Sequence, residues 1–141
     1  LVIAQGNTEF YEEALQYGAY LAFDKKDYNL AISHYSKLEQ VATKEENIRV
    51  SKIALMHSYK KTENFPKTFE YANKVLSLSG IEETLIVEAT LNKGIALKEH
   101  LMYDHALTVL TDCYKMTKTI MGAEAMYNYS VILYAQAKHT V

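Results

Sequence analysis

Three segments of the chain match one another at spacings of 37 and 38 residues. They are DYNLAISHYSKL at 27–38, NFPKTFEYANKV at 64–75 and MYDHALTVLTDC at 102–113. Each has an aromatic residue at its second position, and the three are Tyr28, Phe65 and Tyr103. A fixed period of this length is typical of proteins built from stacked supersecondary units. This repeat constrains the fold more than any other feature of the sequence.

The apolar residues inside each unit follow helical spacing. Tyr28, Ile32 and Tyr35 advance by four and then three residues, which places them on one face of a helix. Leu15 and Ala19 begin a similar stripe upstream, before the polar break at 24–27. Two helices joined by a short polar break make a helical hairpin. The sequence therefore predicts a chain of hairpins.

We predict seven helices, and turn-forming residues mark several of their ends. Pro66 suits the first turn of a helix, where its missing N–H is not needed. Gly80 suits the stop after a helix. Gly122 is expected to break the chain just before the last helix. The predicted helices span about 8–24, 27–42, 46–61, 65–78, 84–99, 103–118 and 123–138.

The segments YGAY at 17–20 and DYNLAISHY at 27–35 resemble a tetratricopeptide repeat. In that family small residues lie where the two helices of a hairpin touch, and Ala19, Ala31, Gly94 and Ala106 stand at those positions here. The resemblance implies an all-α, right-handed superhelical solenoid of antiparallel helical hairpins. It implies one domain over 1–141, with repeats at about 8–45, 46–82 and 83–121 and a half-repeat at 122–141.

The length of the repeats and the two ends of the chain suggest its context. Long repeats of this kind are similar to tetratricopeptide proteins of bacterial cell envelopes, which favours the bacterial periplasm or envelope over the cytoplasm. The chain starts at Leu1 without an initiating Met, so we expect a fragment of a longer protein. In the last helix, Met126, Tyr129 and Leu133 are expected to face the preceding repeats. The other apolar flank of 123–138 is expected to support self-association.

Composition and charge weigh against several classes of partner. The net charge of −2 provides no general attraction to nucleic acid, so we expect no nucleic-acid partner, and an RNA-binding helical repeat is disfavoured. No apolar window is long enough for a membrane span. Twelve tyrosines and no tryptophan suit half-exposed helix faces and binding surfaces.

No pattern of catalytic residues is evident, and we predict a non-enzymatic protein without cofactor or metal. The glycines are scattered singly, and His100 and His105 are five residues apart, which is the wrong spacing for a helical zinc pair. Cys113 is expected to be a buried, inert thiol. The carboxylate pairs are expected to complement helix dipoles at helix starts; they are Glu12-Glu13, Glu45-Glu46 and Glu82-Glu83.

The resemblance also implies a binding surface, the concave face lined by the first helix of each repeat. In the tetratricopeptide family this face commonly holds an extended peptide or a partner helix. Its inward-facing positions, transferred onto this chain, are Gln16, Tyr20, Phe23, Ile53, His57, Lys60, Leu91, Ile95, Lys98, Tyr127, Val131 and Tyr134. We call these twelve residues the groove positions. Their apolar and aromatic side chains with two lysines would suit a mixed hydrophobic and acidic partner segment.

Two functional interpretations follow from the sequence. The first is a non-catalytic protein-protein interaction scaffold that binds a peptide or partner helix at the groove positions. The second is a structural spacer or an auxiliary repeat domain of a larger multi-domain protein or enzyme. In the second case Leu91, Ile95 and Val131 would only pack between neighbouring helices.

Overall fold

The structure, a computed structural model, describes residues 8–139. These residues form seven α-helices and no strand, as the sequence predicts. Every helix boundary falls within three residues of its predicted place. The helices are α1 (Thr8–Asp24), α2 (Tyr28–Val41), α3 (Glu45–Lys61), α4 (Phe65–Leu76), α5 (Glu83–Glu99), α6 (Tyr103–Met116) and α7 (Ile120–His139).

The chain divides into two compact units, and the boundary lies between Asn64 and Phe65. In the first unit α2 packs against α1 and α3, and α1 also contacts α3. In the second unit each helix from α4 to α7 packs against the next, and α5 also contacts α7. The boundary lies inside the predicted second repeat, 46–82. The predicted single domain over 1–141 stays a prediction.

The same helix-ending turn occurs three times, at the spacing of the sequence repeat. Lys26, Glu63 and Leu101 adopt the left-handed backbone conformation, with φ of 65°, 57° and 62°. The residue after each of them donates its N–H to the carbonyl oxygen five residues before it. The N···O distances are 2.8 Å for Asp27, 3.0 Å for Asn64 and 2.9 Å for Met102. This pattern is the Schellman motif that closes many helices. The repeat in the sequence is thus also a repeat in the backbone.

Small residues allow close contact between paired helices. Ala19, Ala31 and Ala106 are fully buried. A Cβ at Gly94 would lie 2.6 Å from Cδ2 and 2.9 Å from Cγ of Leu110, so α5 and α6 approach too closely for a side chain at this position. The predicted close-contact positions are therefore buried, as expected from the size of their side chains.

Two expectations for the last helix are wrong. Gly122 lies inside α7 rather than before it. A Cβ there would lie 2.9 Å from the Thr117 carbonyl oxygen, so this position needs a residue without a side chain. Leu133 does not face the preceding helices and is 46% exposed, while Met126 and Tyr129 are half-buried. The buried face of α7 is instead formed by Ala125, Asn128 and Ile132.

Candidate functional site

The groove positions of the first unit lie on α1 and α3. On α1, Gln16 and Phe23 are half-buried and Tyr20 is 59% exposed. The Phe23 and Tyr28 rings form a T-shaped pair, with ring centroids 5.2 Å apart. On α3 the three positions, all half-buried, are Ile53, His57 and Lys60. Each trio follows four-and-three spacing, so each occupies one helix face and keeps some surface open to solvent.

The groove positions of the second unit are divided between core and surface. Leu91 and Ile95 on α5 are buried in the hydrophobic cluster of this unit and leave little area for a partner. On α7, Tyr127 and Tyr134 are 66% and 68% exposed, and Val131 between them is half-buried. Among the groove positions of this unit, the exposed aromatic residues are therefore both on α7.

Lys98 is the charged groove position of the second unit. Its ammonium donates a hydrogen bond of 2.6 Å to Asn128 Oδ1 and lies 3.3 Å from a Glu99 carboxylate oxygen. Asn128 in turn donates to the Glu124 carbonyl at 2.9 Å. These bonds hold Asn128 in the buried face of α7. Lys98 is thus fixed between α5 and α7 rather than extended into solvent.

Sequence reasoning missed a buried carboxylate in the first unit. Glu12 is fully buried, and its oxygens accept hydrogen bonds from the Thr43 N–H at 3.0 Å, the Thr43 hydroxyl at 2.6 Å and the Asn47 amide at 2.8 Å. These hydrogen bonds hold the pKa of Glu12 at about 2, below its ordinary 4.5. Glu12 was expected to complement the dipole at the start of its own helix. It instead places its charge at the positive N-terminal end of α3.

One signal for this carboxylate is present in the sequence. The N-cap residue of α3 is Lys44, whose side chain cannot accept a hydrogen bond and makes no cap. Its ammonium pairs instead with Glu9 on α1, and this hydrogen bond raises the pKa of Lys44. A helix start without Ser, Thr, Asp or Asn leaves its first N–H groups without a local side-chain acceptor. Glu12 lies beside this start and accepts hydrogen bonds from Thr43, just before the helix, and from the Asn47 side chain.

The surroundings of Cys113 disfavour a reactive thiol. Cys113 is fully buried, its thiol lies 3.7 Å from the Val87 carbonyl oxygen, and burial raises its pKa, which disfavours the reactive thiolate. Within residues 8–139 no cluster of three or more His, Cys, Asp or Glu side chains has the geometry of a metal site. None of the helices in this range is both long and apolar enough to cross a membrane.

No protein-family model matches this chain, and no curated protein matches it.

Proposed function

We propose that the chain is a non-catalytic scaffold of tetratricopeptide type that binds a peptide or partner helix at the groove positions. The helical hairpins would then stack as a right-handed solenoid with these positions on its concave face. The repeated turns at Lys26, Glu63 and Leu101 support this interpretation, because they give the backbone the same period as the sequence. Small buried residues at the helix contacts support it as well.

The observation that carries the proposal is the aromatic surface of α7. Tyr127 and Tyr134 are seven residues apart, lie on one face of the helix and are both about two-thirds exposed. Tyrosines are enriched at protein interfaces, where the ring buries a large area and the hydroxyl retains a polar partner. Tyr20 on α1 gives the first unit a similar exposed anchor.

A peptide-display selection against the chain tests the proposal. Selected peptides should bind Tyr127→Ala, Tyr134→Ala and Tyr20→Ala at least about tenfold more weakly than the wild type, since interface tyrosines are common hot spots. Two exposed tyrosines outside the groove positions, Tyr17 and Tyr114, provide matched controls. Their alanine variants should bind within about twofold of the wild type.

Two results would contradict the groove proposal. Selected peptides that bind all five variants with wild-type affinity would place the binding surface elsewhere. A library that yields no binder would favour the structural spacer. Fluorescence polarisation with each selected peptide distinguishes these results from the expected one.

A further inference from the structure

The third helix-ending turn has the same backbone as the first but a different chemistry. The first turn carries Lys26 and Asp27 where the third carries Leu101 and Met102. Leu101 is 70% exposed in a left-handed conformation that few leucines adopt, so its apolar side chain adds little to the core. The third turn therefore has two exposed apolar side chains at the positions where the first turn has two charged ones.

The same replacement removes a helix cap. Asp27 caps α2 by accepting a hydrogen bond from the Leu30 N–H at 3.2 Å. Met102 occupies the equivalent N-cap position of α6 with nearly the same backbone angles and makes no side-chain cap. The third turn thus lacks a stabilising interaction that the first turn has, and it gains no buried contact through Leu101 in exchange.

An apolar cavity opens beside Met102, which lines it, and Leu101 is the preceding residue of the same turn. Its volume is about 210 Å³, and it is lined by Pro66, Phe69, Ala96, Leu97, His100 and Met102. Small-molecule sites are usually larger, from about 300 Å³ upward, whereas a cavity of about 150 Å³ already admits a benzene ring. The volume therefore matches one aromatic or large aliphatic side chain better than a cofactor.

A cation lies at the edge of this cavity. The ammonium of Lys93 is 5.8 Å from the centre of the Phe69 ring, and Phe69 lines the cavity. Lys93 is one helical turn before Leu97, so it shares the cavity face of α5. It makes no ion pair with any described residue. A carboxylate beside the apolar anchor would complement its charge.

We propose that Leu101, Met102 and this cavity form a second docking site, for a segment of a partner protein. The segment inserts one aromatic or large aliphatic side chain into the cavity and places an acidic side chain near Lys93. Met102 then contacts the inserted side chain from the cavity wall, and the exposed Leu101 next to it packs on the part of the segment outside the cavity. None of these residues is a groove position, so the proposal stands whether or not the groove binds a partner.

Titration of the isotope-labelled chain with short peptides, followed by NMR, tests this site. The probe is acetyl-Glu-Phe-Glu amide, with Leu and Met versions as alternative anchors. The comparison peptides are acetyl-Gln-Phe-Gln amide, which lacks the charge, and acetyl-Glu-Ser-Glu amide, which lacks the anchor. The Phe probe should shift the signals of Phe69, Leu97 and His100 at concentrations up to about 5 mM. The uncharged peptide should bind more weakly, and the serine peptide should not bind.

Substitutions at the turn should separate this site from the groove. Leu101→Glu copies the residue type of Glu63, and Met102→Asp copies that of Asp27, so both should fold and bind the probe at least about tenfold more weakly. Lys93→Gln should weaken binding about threefold. Leu30→Glu, at another exposed leucine, and Tyr127→Ala, at a groove position, should leave binding of this probe unchanged.

Three results would overturn the proposal. The first is that none of the three anchor peptides shifts the cavity signals. The second is that the shifts persist in both Leu101→Glu and Met102→Asp. The third is that the same signals shift with increasing chain concentration in the absence of peptide, which would assign the cavity to a second copy of the chain.

Discussion

In the first unit the start of α3 is joined to α1 by a buried carboxylate, whereas in the second unit α5 and α7 are joined mainly by apolar side chains. Glu12 makes the first joint through Thr43 and Asn47. The second joint lies in a hydrophobic cluster of α5, α6 and α7 residues, with the Lys98–Asn128 hydrogen bond beside it. Both joints connect helices that are two apart in the chain.

The difference between these joints determines what can disrupt each one. An apolar joint depends on shape, so added volume weakens it at any pH. A carboxylate joint depends on protonation as well as geometry, because a protonated acid loses the charge that strengthens its hydrogen bonds. The two units of this chain should therefore respond differently to the same treatment.

The largest expected effect is at the close contact of α5 with α6, in the same hydrophobic cluster as the apolar joint. Gly94→Glu should lower the free energy of unfolding by more than about 3 kcal/mol, because it inserts atoms within 2.6 Å of Leu110 and buries a charge. Ala31→Glu, at a fully buried contact of the first unit, should have a similar effect. Gly18→Glu is the control, since the nearest atoms to a Cβ there are 3.6 Å away on His34. Urea denaturation that shows equal loss for Gly18→Glu and Gly94→Glu would contradict the close contact.

The next effect is at the carboxylate joint. Glu12→Gln should destabilise the chain by about 2 kcal/mol near neutral pH. The amide keeps the size of the side chain but loses the charge, and its NH₂ group faces the donors of Thr43 or Asn47. Glu13→Gln is the matched control, since the neighbouring Glu13 is exposed, and it should change the stability by less than about 0.5 kcal/mol. Equal thermal unfolding of the two variants would show that the Glu12 hydrogen bonds add little to stability.

These two joints also show how much the sequence could predict. The seven helices were predictable because apolar spacing, Pro66 and the repeat period are local signals. The role of Glu12 was not, because its partners Thr43 and Asn47 are more than thirty residues away. Burial of Leu91 and Ile95 was equally hidden, since one apolar stripe on a helix can serve either a groove or a core.

The third effect is the pH dependence that separates the two joints. The folded pKa of Glu12 is about 2 and the ordinary value is 4.5, so its contribution is fully present above about pH 4.5 and is lost as the pH falls towards 2. The stability difference between wild type and Glu12→Gln should shrink over this range. The difference between wild type and Gly94→Val, which adds volume without a titratable group, should stay nearly constant over this range. Unfolding midpoints measured from pH 7 downward would test this, and a constant wild-type advantage over Glu12→Gln would contradict the low pKa.

The smallest effect concerns the helix caps of the two units. Asp27→Ala should lower stability by about 1 kcal/mol, because it removes the cap of α2. Met102→Asp should raise stability by about the same amount, because the backbone angles at position 102 match those of Asp27 and the new carboxylate can reach the His105 N–H. Thermal unfolding of both variants measures the two changes. A more stable Met102→Asp that no longer binds the anchor peptide would mean that the third turn keeps its apolar residues for binding rather than for folding. A less stable Met102→Asp would instead mean that Met102 contributes to the core.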